Sequence, residues 1–325
     1  MKDLVKILTE SYGPSGNEEK IRNIIKELVE PYADEIKIDA MGNLIIRKRG
    51  PGKKLMFAAH MDEIGLIVTN IDEKGFIRFS NIGGVSPHGL LGERVIFENG
   101  TVGIIGVEKL EDIKELKMKR LYIDIGASSK EEAMEKVNIG DMATYYRECT
   151  FLGKNISAKS LDDRAGCAVL IKVLKEVKNP KYDVYFVFTT QEEVGTRGAR
   201  TSAYAIEPDL AIAVDVTLCG DTPEGEKIAV ELGKGPAVKI KDMSVLSHPE
   251  VKQLLIDTAE KNKIPYQKEV LDLGGTDAGA IHLTKEGVPS GGIAIPTRYV
   301  HTPSEMVNLD DLENTVKLII ALIEQ

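Results

Sequence analysis

The sequence contains no tryptophan, and aromatic residues fill only 5% of its 325 positions. Sugar sites usually stack rings on aromatic side chains, so this composition argues against carbohydrate chemistry. Cysteine is scarce: Cys149, Cys167 and Cys219 stand far apart. An odd count without a Cys-x-x-Cys pair argues against a disulfide framework or a thiolate zinc site. The three read as small buried apolar residues in a reducing cytosol. Long apolar runs are missing, and Leu318–Ile323 falls far short of the roughly 20 residues a membrane span needs. Met1-Lys2-Asp3-Leu4 opens no apolar leader, and Gly13-Pro14 breaks the segment early. These features predict a cytoplasmic protein with no membrane association. A basic surplus is also lacking: 42 Lys and Arg face 51 Asp and Glu, a net charge of −9. That balance disfavours nucleic acid and suits a cation.

The length fits two domains, or one large α/β domain carrying an insertion. Ser15-Gly16-Asn17-Glu18 has the form of a capping box, and Ile21, Ile24, Ile25 and Leu28 follow at helical spacing. This predicts a helix over residues 18–29. Extended segments are expected over 36–39, 44–49 and 55–59, the last wholly apolar like a strand covered on both faces. Between residues 66 and 159, short β-like runs alternate with turns such as Asp72-Glu73-Lys74-Gly75. The charged stretch 108–120 reads as a short helix or loop. After Ser160 helices and strands alternate: helices over 165–177, 197–204, 248–262 and 309–323, strands over 184–189, 210–214 and 291–295. Alternation of this kind implies a mostly parallel sheet with helices on both faces. The predicted architecture is an α/β catalytic domain, residues 1–65 and 160–325, interrupted by a small barrel-like all-β domain, residues 66–159.

Polar residues collect where the apolar strands end. The 55–59 strand runs into His60-Met61-Asp62. The 184–189 strand leads to Gln191-Glu192-Glu193, the 210–214 strand to Asp215, and the 291–295 strand toward His301. In open α/β sheets ligands bind beyond the carboxyl ends of the strands. Asp162-Asp163 precedes the helix where the chain re-enters this domain. Two imidazoles and several carboxylates on one edge suit zinc or a similar divalent ion. Five ligands exceed the three that one catalytic zinc takes from its protein. They suit two ions about 3.5–4 Å apart, sharing one carboxylate and one water. Taken singly, each piece has an ordinary reading: a strand-end hydrogen bond, a helix N-cap, a solvated acid pair. Their joint placement after separate buried strands favours a site. His88, His248 and His282 lack that placement and read as structural or surface residues.

Several motifs stand in a familiar order. They are Tyr12-Gly13-Pro14-Ser15-Gly16, Ala59-His60-Met61-Asp62-Glu63-Ile64-Gly65, Leu161-Asp162-Asp163-Arg164-Ala165-Gly166, Gln191-Glu192-Glu193-Val194-Gly195, Val214-Asp215-Val216, Gly274-Gly275-Thr276-Asp277 and His301-Thr302-Pro303-Ser304-Glu305. Over essentially its whole length the chain resembles the tetrahedral (TET) aminopeptidases, the glutamyl/deblocking type of co-catalytic metallopeptidase. Relatives often carry the label cellulase M or endoglucanase. The resemblance implies that His60 and Asp215 hold one metal, Glu193 and His301 the other, and that Asp162 bridges them next to a cis bond with Asp163. It implies Glu192 as general base and Asp62 as the residue that orients His60. It implies two divalent ions, zinc or cobalt, and a bridging hydroxide that releases the N-terminal residue of short peptides. It also implies dimers formed through the inserted β domain, assembled into a tetrahedral dodecamer.

Other readings predict different behaviour. An endo-1,4-β-glucanase could use Glu192 with a second carboxylate, but it leaves the histidines without a role. A metal-dependent carboxypeptidase or deacylase could share this core. A plain metal-binding scaffold gives no reason for the additional Glu192. The preferred side chain is not readable from the residues; a neutral, Leu-like one is the expectation. Gly274-Gly275-Thr276-Asp277 is expected to shape that pocket, or simply to form a strand-to-helix turn with its cap.

Overall fold

The computed structural model describes residues 1–325. At its centre the strands Leu44–Lys48, Asp183–Thr189, Lys54–His60, Leu210–Leu218 and Ser290–Arg298 lie side by side in that order. The last four run parallel to one another, and Leu44–Lys48 is antiparallel to its neighbour. Both faces are covered, which explains the continuous apolar run of 55–59. Leu55, Phe57 and Ala59 face the main core. Met56 and Ala58 face the opposite one, under the Arg197–Ile206 helix. The main core also takes in the helices Leu161–Glu176 and Leu309–Ile323. Each Leu, Ile or Phe fully withdrawn from water there contributes about 1.5–3 kcal/mol. No helix is long and apolar enough to cross a membrane.

A second unit is a closed six-stranded antiparallel barrel. Its strands are Gly65–Ile71, Ile77–Ile82, Leu121–Asp124, Val102–Val107, Arg94–Phe97 and Met142–Tyr145. It has its own core, including Ile77, Val95 and Ile123. The predicted turn after Ile71 forms because Asp72 Oδ1 accepts from Lys74 N at 2.9 Å and Phe76 N at 3.0 Å. The stretch 108–120 contains two single 3-10 turns, Ile113–Glu115 and Met118–Arg120. The hairpin Thr150–Leu152 and Asn155–Ala158 does not join the barrel. It extends the large sheet by pairing with Glu305–Asn308. The barrel strands therefore end at Tyr145, earlier than the expected boundary at 159.

Three further differences bear on the site. A helix over Lys2–Thr9, not anticipated above, buries Val5 and Leu8. The strand expected over 291–295 is longer, Ser290–Arg298, and leaves only two residues before His301. The helix expected from residue 18 begins at Glu19, and no side chain caps it; Ser15 and Glu18 bond elsewhere. Where barrel and sheet meet, Lys159 Nζ lies 2.6 Å from Glu63 Oε2, with both side chains buried. Arg164, fully buried, donates to the carbonyls of Leu8 at 2.7 Å and Gly13 at 3.3 Å. Arg164 thus ties residues 8–13 to the start of the Leu161–Glu176 helix.

Candidate active site

The parallel strands and the start of the Leu161–Glu176 helix bring His60, Asp162, Glu192, Glu193, Asp215 and His301 to the wall of one cleft of about 330 Å³. Asp62 lies behind it, fully buried. His60 closes its strand opposite Thr189. Asp215 does not follow its strand, as the sequence suggests, but lies inside it. The neighbouring Lys54–His60 strand pairs with it only as far as Ala213, so Asp215 stands just past the last paired position on that side, while Lys54–His60 stays paired with Asp183–Thr189 up to His60. Asp162 and Asp163 occupy the start of the Leu161–Glu176 helix in non-helical conformations, and the bond between them is cis.

The donor atoms converge. His60 Nε2 lies 2.9 Å from Asp162 Oδ1 and 3.8 Å from Asp215 Oδ1. His301 Nε2 lies 3.2 Å from Asp162 Oδ2 and 3.3 Å from Glu193 Oε1. His60, Asp162 and Asp215 thus form one group, and Asp162, Glu193 and His301 form another, each with its ligand atoms within 4.8 Å of one another. Asp162 is common to both. The Nδ1 atoms face backbone carbonyls, of Asp62 at 3.1 Å and of Gly84 at 3.1 Å. A proton on each Nδ1 leaves the Nε2 lone pairs turned toward the carboxylates. Two acceptors facing at about 3 Å need a proton or a cation between them. Gly84 has to be glycine here, because a Cβ would collide with the His301 ring.

The electrostatics agree with a cation site. Burial, with Asp162 and Asp277 nearby, pushes Asp215 up to about 8. Burial likewise holds Glu192 well above the usual carboxylate range and raises Glu193. Burial opposes charge on both rings, yet the adjacent carboxylates outweigh it, raising His60 and pushing His301 up to about 12. Asp162 is lowered despite its burial, because both rings lie against it. Without cations the rings serve as counter-ions to crowded acids. Two divalent ions fit this set of imidazole and carboxylate donors.

The sequence profile of the M42 glutamyl aminopeptidases matches residues 42–318. The chain belongs to this family. M42 enzymes are metallo-aminopeptidases, and this one hydrolyses peptide N-termini. A relative from Acetivibrio thermocellus that carries an aminopeptidase name is 55% identical over 324 residues, 99% of this chain and 98% of that one. The TET1 peptidase of Pyrococcus horikoshii can assemble into a tetrahedron or a large octahedral shell. Its structure matches with a TM-score of 0.90 and 37% identity, over 99% of this chain and 98% of that one. A Thermotoga maritima structure named an endoglucanase matches with a TM-score of 0.85 and 38% identity, over 98% and 96%. That name is a label and does not decide the chemistry.

Around this cleft stand residues to which the sequence gave no individual role. Glu305 accepts from Asp162 N at 3.0 Å and from His301 N at 2.8 Å, so one buried carboxylate fixes two donor residues. It stands inside the His301–Glu305 motif, which was the available signal. Lys239 lines the cleft, bound to Glu269 at 2.8 Å and near Asp242 at 3.4 Å, while Thr217 donates to Glu269. Nothing local marks Lys239; packing between distant strands places it there. Asp277, at the end of the glycine-rich motif, accepts from Thr189 at 2.5 Å and is pushed up to about 6 by burial. Of the histidines set aside, His248 accepts from Glu250 N at the start of the Pro249–Lys261 helix. His248 and His282 line a separate depression.

Proposed function

We propose that this chain is a dinuclear aminopeptidase that removes single N-terminal residues from short peptides. The observation that carries the reading is the pair of donor groups sharing Asp162. His60 and Asp215 would hold one ion and Glu193 and His301 the other, with Asp162 between them. Zinc and cobalt both suit nitrogen and oxygen donors of this kind. When bound, the ions supply Lewis acidity toward the scissile carbonyl and a water acidified to near neutral pH. Glu192 belongs to neither donor group, yet it faces the same cleft. Its burial makes it a stronger base than an exposed glutamate. Glu192 therefore takes the proton of the attacking water and returns it to the departing amine.

The cleft supports a peptide rather than a sugar. Val216, Leu218, Leu271, Leu273 and Val300 line it, and no Phe, Tyr or Trp does. That lining favours a neutral, Leu-like first residue, because the Lys239 charge is already met by Glu269. The assembly of the Pyrococcus horikoshii relative supports a homo-oligomer. We infer dimers formed through the barrel, closing as a tetrahedral dodecamer. The three unpaired thiols agree with a cytoplasmic setting.

A panel of aminoacyl-p-nitroanilides tests this reading, run before chelation, after it, and after zinc or cobalt is restored. Carboxymethylcellulose and an N-acetylated substrate run alongside. Metal-restored release from free amino termini, fastest for leucine, is the expected result. Chelator-insensitive sugar release would establish the glucanase instead. Cleavage of the N-acetylated substrate would point to a deacylase or another peptidase on the same core.

A further inference from the structure

Ser15 and Glu18 have the spacing of a capping box, but neither side chain caps the helix that follows. Both turn toward the catalytic loop. Ser15 Oγ donates to Asp62 Oδ2 at 2.6 Å. Asp62 in turn accepts from Glu192 N at 3.0 Å and from Glu193 N at 3.2 Å. Glu18 Oε1 accepts from Gly16 N at 2.7 Å and from Gln191 N at 3.1 Å. Three successive amides, of residues 191 to 193, therefore end on two buried carboxylates. One carboxylate belongs to the Ser15–Glu18 loop and the other is gripped by it. Ser15 and Glu18 are themselves nearly inaccessible, 4% and 5% exposed.

Gln191 shows why the loop needs holding. Its φ of 54° is left-handed, a conformation that a non-glycine residue keeps only where its surroundings fix it. The supporting loop is anchored independently. Ser15 N donates to Glu63 O at 3.2 Å, and Pro14 forms a β-bridge with Glu63.

We propose that Ser15 and Glu18 are positioning residues for this reaction. They hold the 191–193 backbone so that the Glu192 carboxylate meets the water in the cleft. The inference rests on the reading of Glu192 as proton carrier. Misplacing such a group by a fraction of its hydrogen-bond reach lowers kcat while leaving substrate binding in place.

The test uses the metal-loaded full chain with leucine p-nitroanilide, measuring kcat, KM and bound metal together. Ser15→Ala and Glu18→Ala should each lower kcat roughly 10–100-fold, with KM within about twofold and metal content unchanged. Glu18→Gln should stay near wild type, because a single oxygen accepts both bonds and the amide keeps one. In a Glu192→Gln background, Ser15→Ala should remove no more than about twofold of the residual rate, since the group it positions is gone. Wild-type kcat in Ser15→Ala beside an inactive Glu192→Gln overturns this inference alone. So does an equal loss in both backgrounds, or a loss of metal with the rate. Wild-type turnover in Glu192→Gln overturns the proton-carrier reading, whatever Ser15 does. If Ser15→Ala does not fold, the contrast between Glu18→Ala and Glu18→Gln decides in the same way.

Discussion

Glu192→Gln should bind two divalent ions per chain like the parent and lose about 10²–10⁴-fold in kcat. The reasoning is positional. Glu192 and Glu193 are adjacent, yet only Glu193 has a carboxylate oxygen beside His301, at 3.3 Å. Glu192 is left facing the cleft without a place in either donor group. The amide is nearly isosteric, so binding should be retained, but it cannot carry the proton. Metal content by elemental analysis, measured beside kcat and KM on one preparation, checks both halves. Unchanged turnover would remove Glu192 from the proton transfer. Loss of an ion would make it a ligand.

Asp162→Asn should weaken both metal positions at once. Asp162 offers one oxygen to each side, 2.9 Å from His60 Nε2 and 3.2 Å from His301 Nε2. The substitution removes the negative charge that two cations would share. Each affinity should fall by at least roughly the 10–100-fold that a supporting partner of a ligand commands. Asp215→Asn and Glu193→Gln, by contrast, should each weaken one position. Calorimetric titration of metal-stripped protein separates the cases. Loss confined to one ion in Asp162→Asn would mean that the carboxylate does not bridge.

The parts of this site that were legible in the sequence are those written locally. A wholly apolar run ending in His60 marks a buried parallel strand and the residue it delivers, because both sheet faces are covered. The Gln191-Glu192-Glu193 loop is legible for the same reason. Asp215 was found, but its setting was misjudged, since an aspartate inside an apolar strand reads like a strand end. Pairing with the neighbouring strand ends at Ala213, short of Asp215, and only the register shows it. The Ser15–Glu18 pattern misled in an instructive way. Capping boxes are recognised by spacing, and spacing does not reveal that a buried carboxylate and a strained loop compete for the same groups. Lys239 was out of reach, and Asp277 was visible only as the end of the Gly274–Asp277 motif, because their partners, Glu269 and Thr189, come from distant elements. The 150–158 hairpin has the composition of the barrel strands, yet it pairs with Glu305–Asn308, more than 140 residues away.

The most direct test of two cooperating ions is a stoichiometric titration. Metal-stripped protein would receive zinc or cobalt in fractions of an equivalent, while release from leucine p-nitroanilide is followed and an N-acetylated analogue serves as control. The dinuclear reading predicts that activity rises to a plateau at two equivalents per chain, with the blocked substrate untouched. Full activity at one equivalent, or activity that survives complete removal of metal, would contradict it.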